Sequence, residues 1–292
     1  SGVRLTVSGQ QLTVPGTGVV SDTQDWNSYS PAIPASASTV YAAAGASVNR
    51  IDTVSTTPVA SLATDVTGAI ASLAVEPTTG RIAAVLTDGS LVTNAGPSTT
   101  LSVQMQGSTL SRPTWDRDGN VLVADFGRGV WSVPVTGKRH RVTLGSNSVG
   151  SEAAVRQVAV APDGSRVALV MSTGTGDVVA LGVLSSTKGG FTISGVHRIE
   201  DSISGVRDVV WSGPLTVAVL GSQGAGSQML VVNVGSSAVA SSNVPTGTQS
   251  LILDNAGNPY VAVSNSEGSA ILKRGYGRWA TISEGIAVGL GP

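Results

Sequence analysis

The sequence of 292 residues contains no cysteine. This absence excludes disulfides, thiolate metal sites and cysteine nucleophiles from the chain, although it leaves the redox environment open. Long hydrophobic runs are also missing, because the longest, residues 178–184, is far shorter than the roughly 18 apolar residues that a membrane-spanning helix needs. Apolar residues nevertheless make up 41% of the sequence, which is enough to bury a large core.

Charged residues are scarce, at 12% of the sequence, and the formal net charge is −1. The longest basic run is Lys138-Arg139-His140-Arg141. A nucleic-acid-binding protein needs a clustered positive surface that neutralises phosphates, and this run is too short to provide one. We therefore expect no nucleic-acid partner.

Aromatic residues are few, at 4%, whereas glycine occurs 37 times and Ser, Thr, Val and Ala are abundant. Small and β-branched residues at this density favour strands and tight turns over helices. No segment shows a sustained helical periodicity of apolar residues, which excludes helical bundles and α/β folds. Composition and pattern together predict an all-β protein.

A degenerate repeat organises the candidate strands. Each unit consists of a short strand, a turn with Gly, Asp or Asn, a second strand rich in Ala and Val, another turn and a third strand. Intervals of 39, 45, 49 and 44 residues separate the turn glycines, which are Gly80, Gly119, Gly164, Gly213 and Gly257. A period of about 40 to 50 residues with about four strands is typical of β-propeller blades, whose two apolar faces are buried by stacking.

Six such units cover residues 25–292 and predict a six-bladed β-propeller of four-stranded blades. The first and last units each contain four candidate strands, so ring closure needs no strand from the opposite terminus. Residues 3–14 predict a separate hairpin, and we assign residues 1–24 to the end of a preceding domain with its linker. A seventh blade built partly by residues 3–14 is the alternative blade count, and a β-sandwich or jelly roll is the competing fold.

Motifs with a catalytic or metal-binding pattern are explained better by turns and loops. Ser185 and Lys188 match the Ser-x-x-Lys pattern of penicillin-interacting enzymes, but they lie between strands and the two companion motifs are missing. Residues 116–120 alternate oxygen ligands as a calcium loop does, but the later Gly and Glu are absent. The two histidines, His140 and His197, lie in different units without identifiable partners. We therefore predict no catalytic residue, no metal and no cofactor.

Arginines recur near the start of the first strand in three successive units. The units are aligned on a shared first-strand position, which is occupied by Trp115, Val160 and Trp211. Arg156 and Arg207 lie four residues before this position, and Arg112 lies three before it. The innermost strands of a propeller ring its channel, so these cations, with Asp125 and Arg128 from a neighbouring turn, predict a rim that docks an anion or a protein. The alternative is a set of solvated charges at loop ends.

Three segments carry a recognisable pattern, in residues 25–31, 110–125 and 162–170. The most specific part is Arg-Pro-x-Trp-Asp, from Arg112 to Asp116, whereas Asp-Gly-Ser-Arg occurs in many propellers. Together the segments resemble the β-propeller of LpqB-type lipoproteins from actinobacteria. The hairpin that ends at Pro15 is similar to the end of the GerMN-type domain that precedes this propeller, so the resemblance covers nearly the whole chain.

This resemblance implies the extracytoplasmic part of a lipoprotein of the cell membrane, with the lipidated cysteine upstream of this chain. Proteins of this type are implied to bind the extracellular domain of the Mtr two-component sensor histidine kinase. They would thereby modulate signal transduction in cell-wall homeostasis and division. We therefore expect a monomeric, non-enzymatic protein-binding module, and the resemblance carries over no catalytic residue.

Two other functions stay open on the sequence alone. An envelope propeller enzyme or carbohydrate-binding domain would use the central funnel, where it would place opposed carboxylates or His and Asp ligands. A structural spacer of the envelope would need no dedicated binding surface. A funnel mouth of arginine and other polar residues without perturbed acids would favour protein docking over an enzyme.

Overall fold

The computed structural model describes the following parts of the chain. They are residues 2–7, 10–15, 29–30, 39–44, 46–52, 60–65, 68, 70–76, 79–94, 101–145, 149–150, 152–187, 190–200, 203–223, 226–234, 239–253, 259–265, 268–275 and 277–284. The chain divides into two compact units, residues 1–103 together with 245–292, and residues 104–244.

Every regular element in these ranges is a β-strand. No described segment forms a helix long and apolar enough to cross a membrane. The all-β fold that composition and pattern predict is therefore confirmed.

The described strands of residues 1–106 form a hairpin and two four-stranded sheets. The hairpin pairs β1 (Gly2–Val7) with β2 (Gln10–Pro15). Sheet 1 contains β3 (Tyr29–Ser30), β4 (Thr39–Ala44), β5 (Ser47–Asp52) and β6 (Ala60–Asp65). Sheet 2 contains β7 (Ile70–Val75), β8 (Ile82–Leu86), β9 (Ser90–Thr93) and β10 (Ser102–Gln106).

Three further sheets follow along residues 104–244. Sheet 3 contains β11 (Thr114–Trp115), β12 (Asn120–Asp125), β13 (Gly129–Pro134) and β14 (His140–Arg141). Sheet 4 contains β15 (Thr143–Leu144), β16 (Ala154–Val160), β17 (Arg166–Thr173), β18 (Gly176–Thr187) and β19 (Gly190–Glu200). Sheet 5 contains β20 (Ser204–Gly213), β21 (Thr216–Gln223), β22 (Gly226–Asn233) and β23 (Val239–Asn243).

The chain ends with sheet 6, which belongs to the first unit. It contains β24 (Thr248–Leu253), β25 (Pro259–Asn265), β26 (Gly268–Gly275) and β27 (Arg278–Glu284). Sheets 1 and 6 each draw four strands from one contiguous segment, as predicted, and neither contains a strand from the other terminus. The repeat of four-stranded antiparallel sheets confirms the propeller fold, whereas the count of six blades and the boundary at residue 24 stay predictions.

Sheet 4 departs from the predicted pattern. Its strand order is β15-β19-β18-β17-β16, and β15 pairs parallel with β19 while the other pairs are antiparallel. The amide of Gly145 continues this pairing by donating to the Ile193 carbonyl at 2.8 Å. A two-residue strand that leaves sheet 3 and joins sheet 4 has no periodicity of its own, so the repeat could not predict it.

The two faces of sheet 4 bury two separate apolar clusters. On β17, Val167, Leu169 and Met171 pack with side chains of sheet 3, whereas Ala168 and Val170 pack with side chains of sheet 5. This alternation follows from the two-residue period of a strand. A sheet that is apolar on both faces is stable only between neighbours, as expected for a propeller blade.

Contacts at the ends of the first hairpins join sheets 4 and 5. The indole Nε1 of Trp211 donates to the Ala159 carbonyl at 2.9 Å, so this tryptophan joins sheet 5 to sheet 4. The guanidinium of Arg166 lies 5.5 Å from the centre of the Trp211 ring and donates to the Pro214 carbonyl. Gly164 has a φ of 70°, a left-handed conformation that glycine adopts without strain.

Gly221 lies so close to Ile203 and Ser204 that it leaves no room for a side chain. A Cβ added at Gly221 would lie 2.6 Å from Ile203 Cγ1 and 2.9 Å from the Ser204 carbonyl oxygen. We expect Gly221→Ala to lower the free energy of unfolding by about 1–3 kcal/mol, since a backbone oxygen cannot move aside cheaply. Gly174→Ala is the control, because a Cβ there meets no atom within 4 Å. Urea denaturation of both variants tests this expectation, and equal stabilities would contradict it.

The turn between β7 and β8 is held by an ion pair. Arg81 donates from Nε to Glu76 Oε2 at 2.6 Å and from Nη2 to Oε1 at 2.8 Å, and the Thr79 hydroxyl donates to the same carboxylate. The hydrogen bonds from Arg81 lower the pKa of Glu76, against an opposing effect of burial. An acid whose folded pKa is lowered contributes stability above its unfolded pKa, and this contribution is lost as the pH falls through the folded value.

Replacing Glu76 tests this linkage. We expect Glu76→Gln to destabilise the protein by about 1 kcal/mol at pH 7, the scale of a well-formed, partly exposed pair. The deficit should shrink as the pH falls below about 4.3, where the unfolded glutamate becomes protonated. Chemical denaturation of the wild type and variant between pH 7 and pH 3 measures the difference. A deficit that is constant over this range would show that the Glu76 charge has no role.

Candidate functional site

The first strands of sheets 3, 4 and 5 share a register that identifies equivalent residues. The first strand pairs with the second through Trp115–Val121, Val160–Val167 and Trp211–Val217. The residue three positions before the first member of each pair is polar. In the three sheets it is Arg112, Gln157 and Asp208, respectively. Their exposure is low: 9% for the Arg112 side chain, 9% for Gln157 and 2% for Asp208. Three equivalent positions therefore bury polar groups.

These three residues form one hydrogen-bonded cluster, the Arg112–Gln157–Asp208 cluster. Arg112 donates from Nη1 to Asp208 Oδ1 and from Nη2 to Asp208 Oδ2, both at 2.9 Å. Gln157 Nε2 donates to Asp208 Oδ1 at 2.9 Å and to the Val209 carbonyl at 3.3 Å. The Val209 amide donates to Asp208 Oδ1 at 2.8 Å. Asp208 thus joins the first strands of three successive sheets.

The chemistry of this cluster is structural. Burial lowers the pKa of Arg112, and the charge of Asp208 with its hydrogen bonds opposes that effect. Both carboxylate oxygens of Asp208 already accept hydrogen bonds, so the carboxylate is poorly placed to act as a base. A buried, bidentate arginine–carboxylate pair fixes the relative positions of the groups that it joins.

The arginines one residue earlier behave differently. Arg156 is the extra residue of a β-bulge between Val155 and Gln157, its side chain is 47% exposed, and it pairs with Asp177 at the start of β18. Arg207 lies in a similar irregularity of β20 and donates to the hydroxyls of Ser222 and Ser227 at 3.2 and 3.1 Å. Successive residues of a strand point to opposite sides, so a shift of one position separates a buried arginine from exposed ones.

Asp125 and Arg128 lie at the turn between β12 and β13. The Asp125 carboxylate is buried and accepts hydrogen bonds from the Ser108 amide, the Ser108 hydroxyl and the Thr109 amide at 3.2–3.4 Å. Arg128 Nη1 is 3.8 Å from Asp125 Oδ2, and the Arg128 side chain is 64% exposed. Asp125 therefore fixes the segment that leads into β11, and Arg128 remains accessible.

The predicted rim needs two corrections. Arg112 is not an exposed cation, because its guanidinium is buried against Asp208. Asp125 is not an exposed anion, because its carboxylate is buried and accepts hydrogen bonds from the backbone amides of residues 108 and 109. The exposed members are Arg128, Arg156 and Arg207, which we call the arginine rim.

The arginine rim occupies one end of sheets 3–5. The Arg112–Gln157–Asp208 cluster brings the starts of the first strands together, and Arg156 and Arg207 each adjoin one of its members. Arg128 follows β12, whose end lies beside the start of its antiparallel partner β11. The docking role of this rim stays a prediction.

The remaining motifs lie in a turn and in a strand, and the expectation that Ser185 lies in a loop between strands is wrong. Asp116 Oδ1 accepts the amides of Asp118 and Asn120, and Asp116 Oδ2 accepts Asn120 Nδ2, so this carboxylate caps a turn; burial raises its pKa, against these hydrogen bonds. Ser185 lies in β18, not on a helix, and Lys188 is outside the described residues. Among the described side chains, no group of three or more His, Asp and Glu could hold a metal ion.

Sequence reasoning missed Gln157 and Asp208. The available signal was the offset of Arg112, which lies three residues before the shared position, where the other two arginines lie four before it. Reading that third position in the next two units would have identified Gln157 and Asp208 as its equivalents.

The buried ion pair yields a prediction with an internal control. Asp208→Asn leaves the Arg112 charge buried without its counterion, and we expect a loss of about 3–5 kcal/mol of stability. Asp177→Asn removes a carboxylate whose partner Arg156 is 47% exposed, and we expect less than about 1 kcal/mol. Adding Arg112→Met to Asp208→Asn should recover part of the loss, because no unpaired charge then remains. Denaturation of the three variants measures these values, and equal effects of the two single changes would refute this role of Asp208.

Solved structures of other proteins share this fold at low sequence identity. The chain is similar to TolB from Acinetobacter baumannii, with a TM-score of 0.64 and 14% identity over 91% of this chain and 66% of that one, slightly under two thirds of its length. It is similar to a hydrazine synthase chain from Kuenenia stuttgartiensis, with a TM-score of 0.63 and 17% identity over 90% and 80% of the two chains. For virginiamycin B lyase from Staphylococcus aureus the TM-score is 0.58 and the identity 7%, over 90% and 85%. These likenesses establish the fold alone.

No curated protein matches the sequence. The sequence model of the lipoprotein LpqB β-propeller domain matches residues 45–292. That match includes all of sheets 2–6 and agrees with the family that the Arg-Pro-x-Trp-Asp segment indicates. The chain therefore belongs to the LpqB lipoprotein β-propeller family.

Proposed function

We propose that this chain is a non-enzymatic docking module of a cell-envelope lipoprotein and that it binds the extracellular domain of the Mtr sensor histidine kinase. Binding would modulate the two-component system that adjusts cell-wall homeostasis and division. The observation that carries the proposal is the match of residues 45–292 to the LpqB lipoprotein propeller. A lipoprotein domain is consistent with an envelope location, and a sensor domain outside the membrane would be within its reach.

The arginine rim supports a docking role. Arg128, Arg156 and Arg207 present guanidinium groups at one end of three successive sheets, on strands and a tight turn. Arginine is enriched in protein interfaces because its planar donors match carboxylates and its stem packs on apolar groups. Beneath the rim, the Arg112–Gln157–Asp208 cluster holds the first strands in place, so the rim residues need little ordering when a partner binds.

Five of the described carboxylates are held in structural contacts, which favours binding over hydrolysis at their positions. Asp208, Asp125 and Asp116 accept hydrogen bonds from neighbouring groups, and Asp177 and Asp163 pair with arginines. A propeller glycosidase would need two carboxyl groups that face each other across a substrate, and these five are engaged elsewhere. The fold itself does not decide the matter, since hydrazine synthase and virginiamycin B lyase share it.

A binding assay with the purified kinase domain tests the proposal. The chain is immobilised, and the extracellular domain of the sensor kinase is titrated in biolayer interferometry at about 150 mM salt. We expect saturable binding that weakens at least tenfold in the double variant Arg156→Gln/Arg207→Gln, with an unchanged melting temperature. Exposed charges contribute little to stability, so the variant should fold normally.

A matched control separates the rim from net charge. Arg117→Gln/Arg278→Gln removes two exposed arginines outside the rim, and its affinity should stay within about twofold of the wild type. No binding of the wild-type chain would refute kinase docking, and equal losses in the two double variants would refute the rim. Hydrolysis of cell-wall glycans by the chain would favour the enzymatic alternative.

A further inference from the structure

The outer edge of sheet 3 carries a concentration of basic side chains that the arginine rim does not explain. The run from Lys138 to Arg141 leads into and forms the short edge strand β14, and each of its four residues is exposed. The segment 126–151 contains Arg128, Lys138, Arg139 and Arg141 and no Asp or Glu. In a chain with a net charge of −1, the exposed side chains of Arg128, Lys138, Arg139 and Arg141 form a local positive surface, which we call the basic edge.

The strand register places several of these cations together. Arg141 is the cross-strand partner of Trp131, so the two side chains lie on the same side of the sheet. The Arg139 guanidinium stacks 5.3 Å from the centre of the Trp131 ring. Arg141 Nε and Nη2 lie beside Gly129, at 3.2 and 3.3 Å from the position of a Cβ there, which brings this guanidinium next to the β12–β13 turn.

The same turn exposes an aromatic ring. Phe126 is 43% exposed and lies two residues before Arg128, whose side chain is 64% exposed. The nearest carboxylate in sequence, Asp125, is buried beneath the turn and accepts hydrogen bonds from residues 108–109. Accessible cations beside an accessible phenyl ring combine the two interactions that hold a protein at the surface of an anionic bilayer.

We infer that the basic edge binds the headgroups of an anionic phospholipid bilayer. The inference rests on the envelope location in the proposed function but not on kinase docking. Charge complementarity selects an anionic surface, and the lipoprotein family tethers such a domain to a bilayer.

The form of the basic edge favours a surface over a small ligand. Its cations extend along an edge strand and two adjoining loops, and Arg128, Lys138, Arg139 and Arg141 are each exposed. A selective anion site would instead converge several donors in a pocket. Diffuse contacts suit the lipid phosphates of a fluid bilayer, which rearrange to meet them.

Vesicle binding of this chain tests the inference. The protein is mixed with vesicles of phosphatidylcholine alone or with an equal share of phosphatidylglycerol, and binding is measured by flotation at about 50 and 300 mM salt. We expect binding to the anionic vesicles only, with a marked loss at the higher salt, because exposed charges are screened there.

Variants locate the contact. Lys138→Gln/Arg139→Gln/Arg141→Gln should weaken binding to anionic vesicles roughly 100-fold, from the loss of three basic residues at the surface. Phe126→Ser should weaken it by a smaller factor. The control Arg117→Gln/Arg198→Gln/Arg278→Gln removes three exposed arginines elsewhere and should stay within about threefold of the wild type. Arg128 is unchanged in every variant, because it adjoins both the rim and the basic edge.

The outcomes distinguish this inference from kinase docking. The triple variant of the basic edge should bind the kinase domain as the wild type does, while the rim variant loses that binding. Absence of wild-type binding to anionic vesicles at the lower salt would overturn the inference. Equal losses in the two triple variants would also overturn it, and so would binding that depends on the basic edge with soluble inorganic polyphosphate but not with vesicles.

Discussion

One buried charge pair sets the geometry of residues 104–244. Arg112 directly precedes the first strand of sheet 3, Asp208 lies in the first strand of sheet 5, and Gln157 of sheet 4 binds the same carboxylate. Apolar packing between sheets is strong but tolerates sliding, because it has no preferred direction. A bidentate ion pair has a defined geometry, and a misplaced sheet would leave a charge buried alone. The cluster therefore adds positional specificity to the stability that the apolar faces supply.

The same cluster gives the Arg-Pro-x-Trp-Asp segment, the most specific part of the family pattern, a structural role that needs no catalysis. In the segment from Arg112 to Asp116, the arginine is buried against Asp208 and Trp115 is buried in the core. Asp116 caps the next turn through the amides of Asp118 and Asn120. Each distinctive residue thus has a structural partner, and the accessible chemistry lies at neighbouring positions, in the bulges and turns.

The propeller could be predicted because its strands repeat a local pattern of Ala, Val and turn glycines. The strands β17 and β21 follow the turn glycines Gly164 and Gly213 and are rich in Ala and Val, as the repeat predicts for second strands. The corrections at Arg112 and Asp125 have another origin. Whether a strand-end residue is buried depends on a bulge that shifts the register by one position and on a partner about 96 residues away, for Arg112 and Asp208. The bulges leave a one-residue offset of Arg112 from the other two arginines, whereas the distant partner leaves no local signal.

The parallel strand β15 has a consequence for association between molecules. The outer strand of a blade carries free amides and carbonyls, and such an edge can template the strand of another chain. In sheet 4 that edge is partly occupied, because Thr143 and Leu144 pair with Thr192 and Ile193. The two residues of β15 thereby hinder the edge strand β19 from pairing with a strand of another molecule. This edge belongs to the β18–β19 hairpin, the longest of residues 104–244.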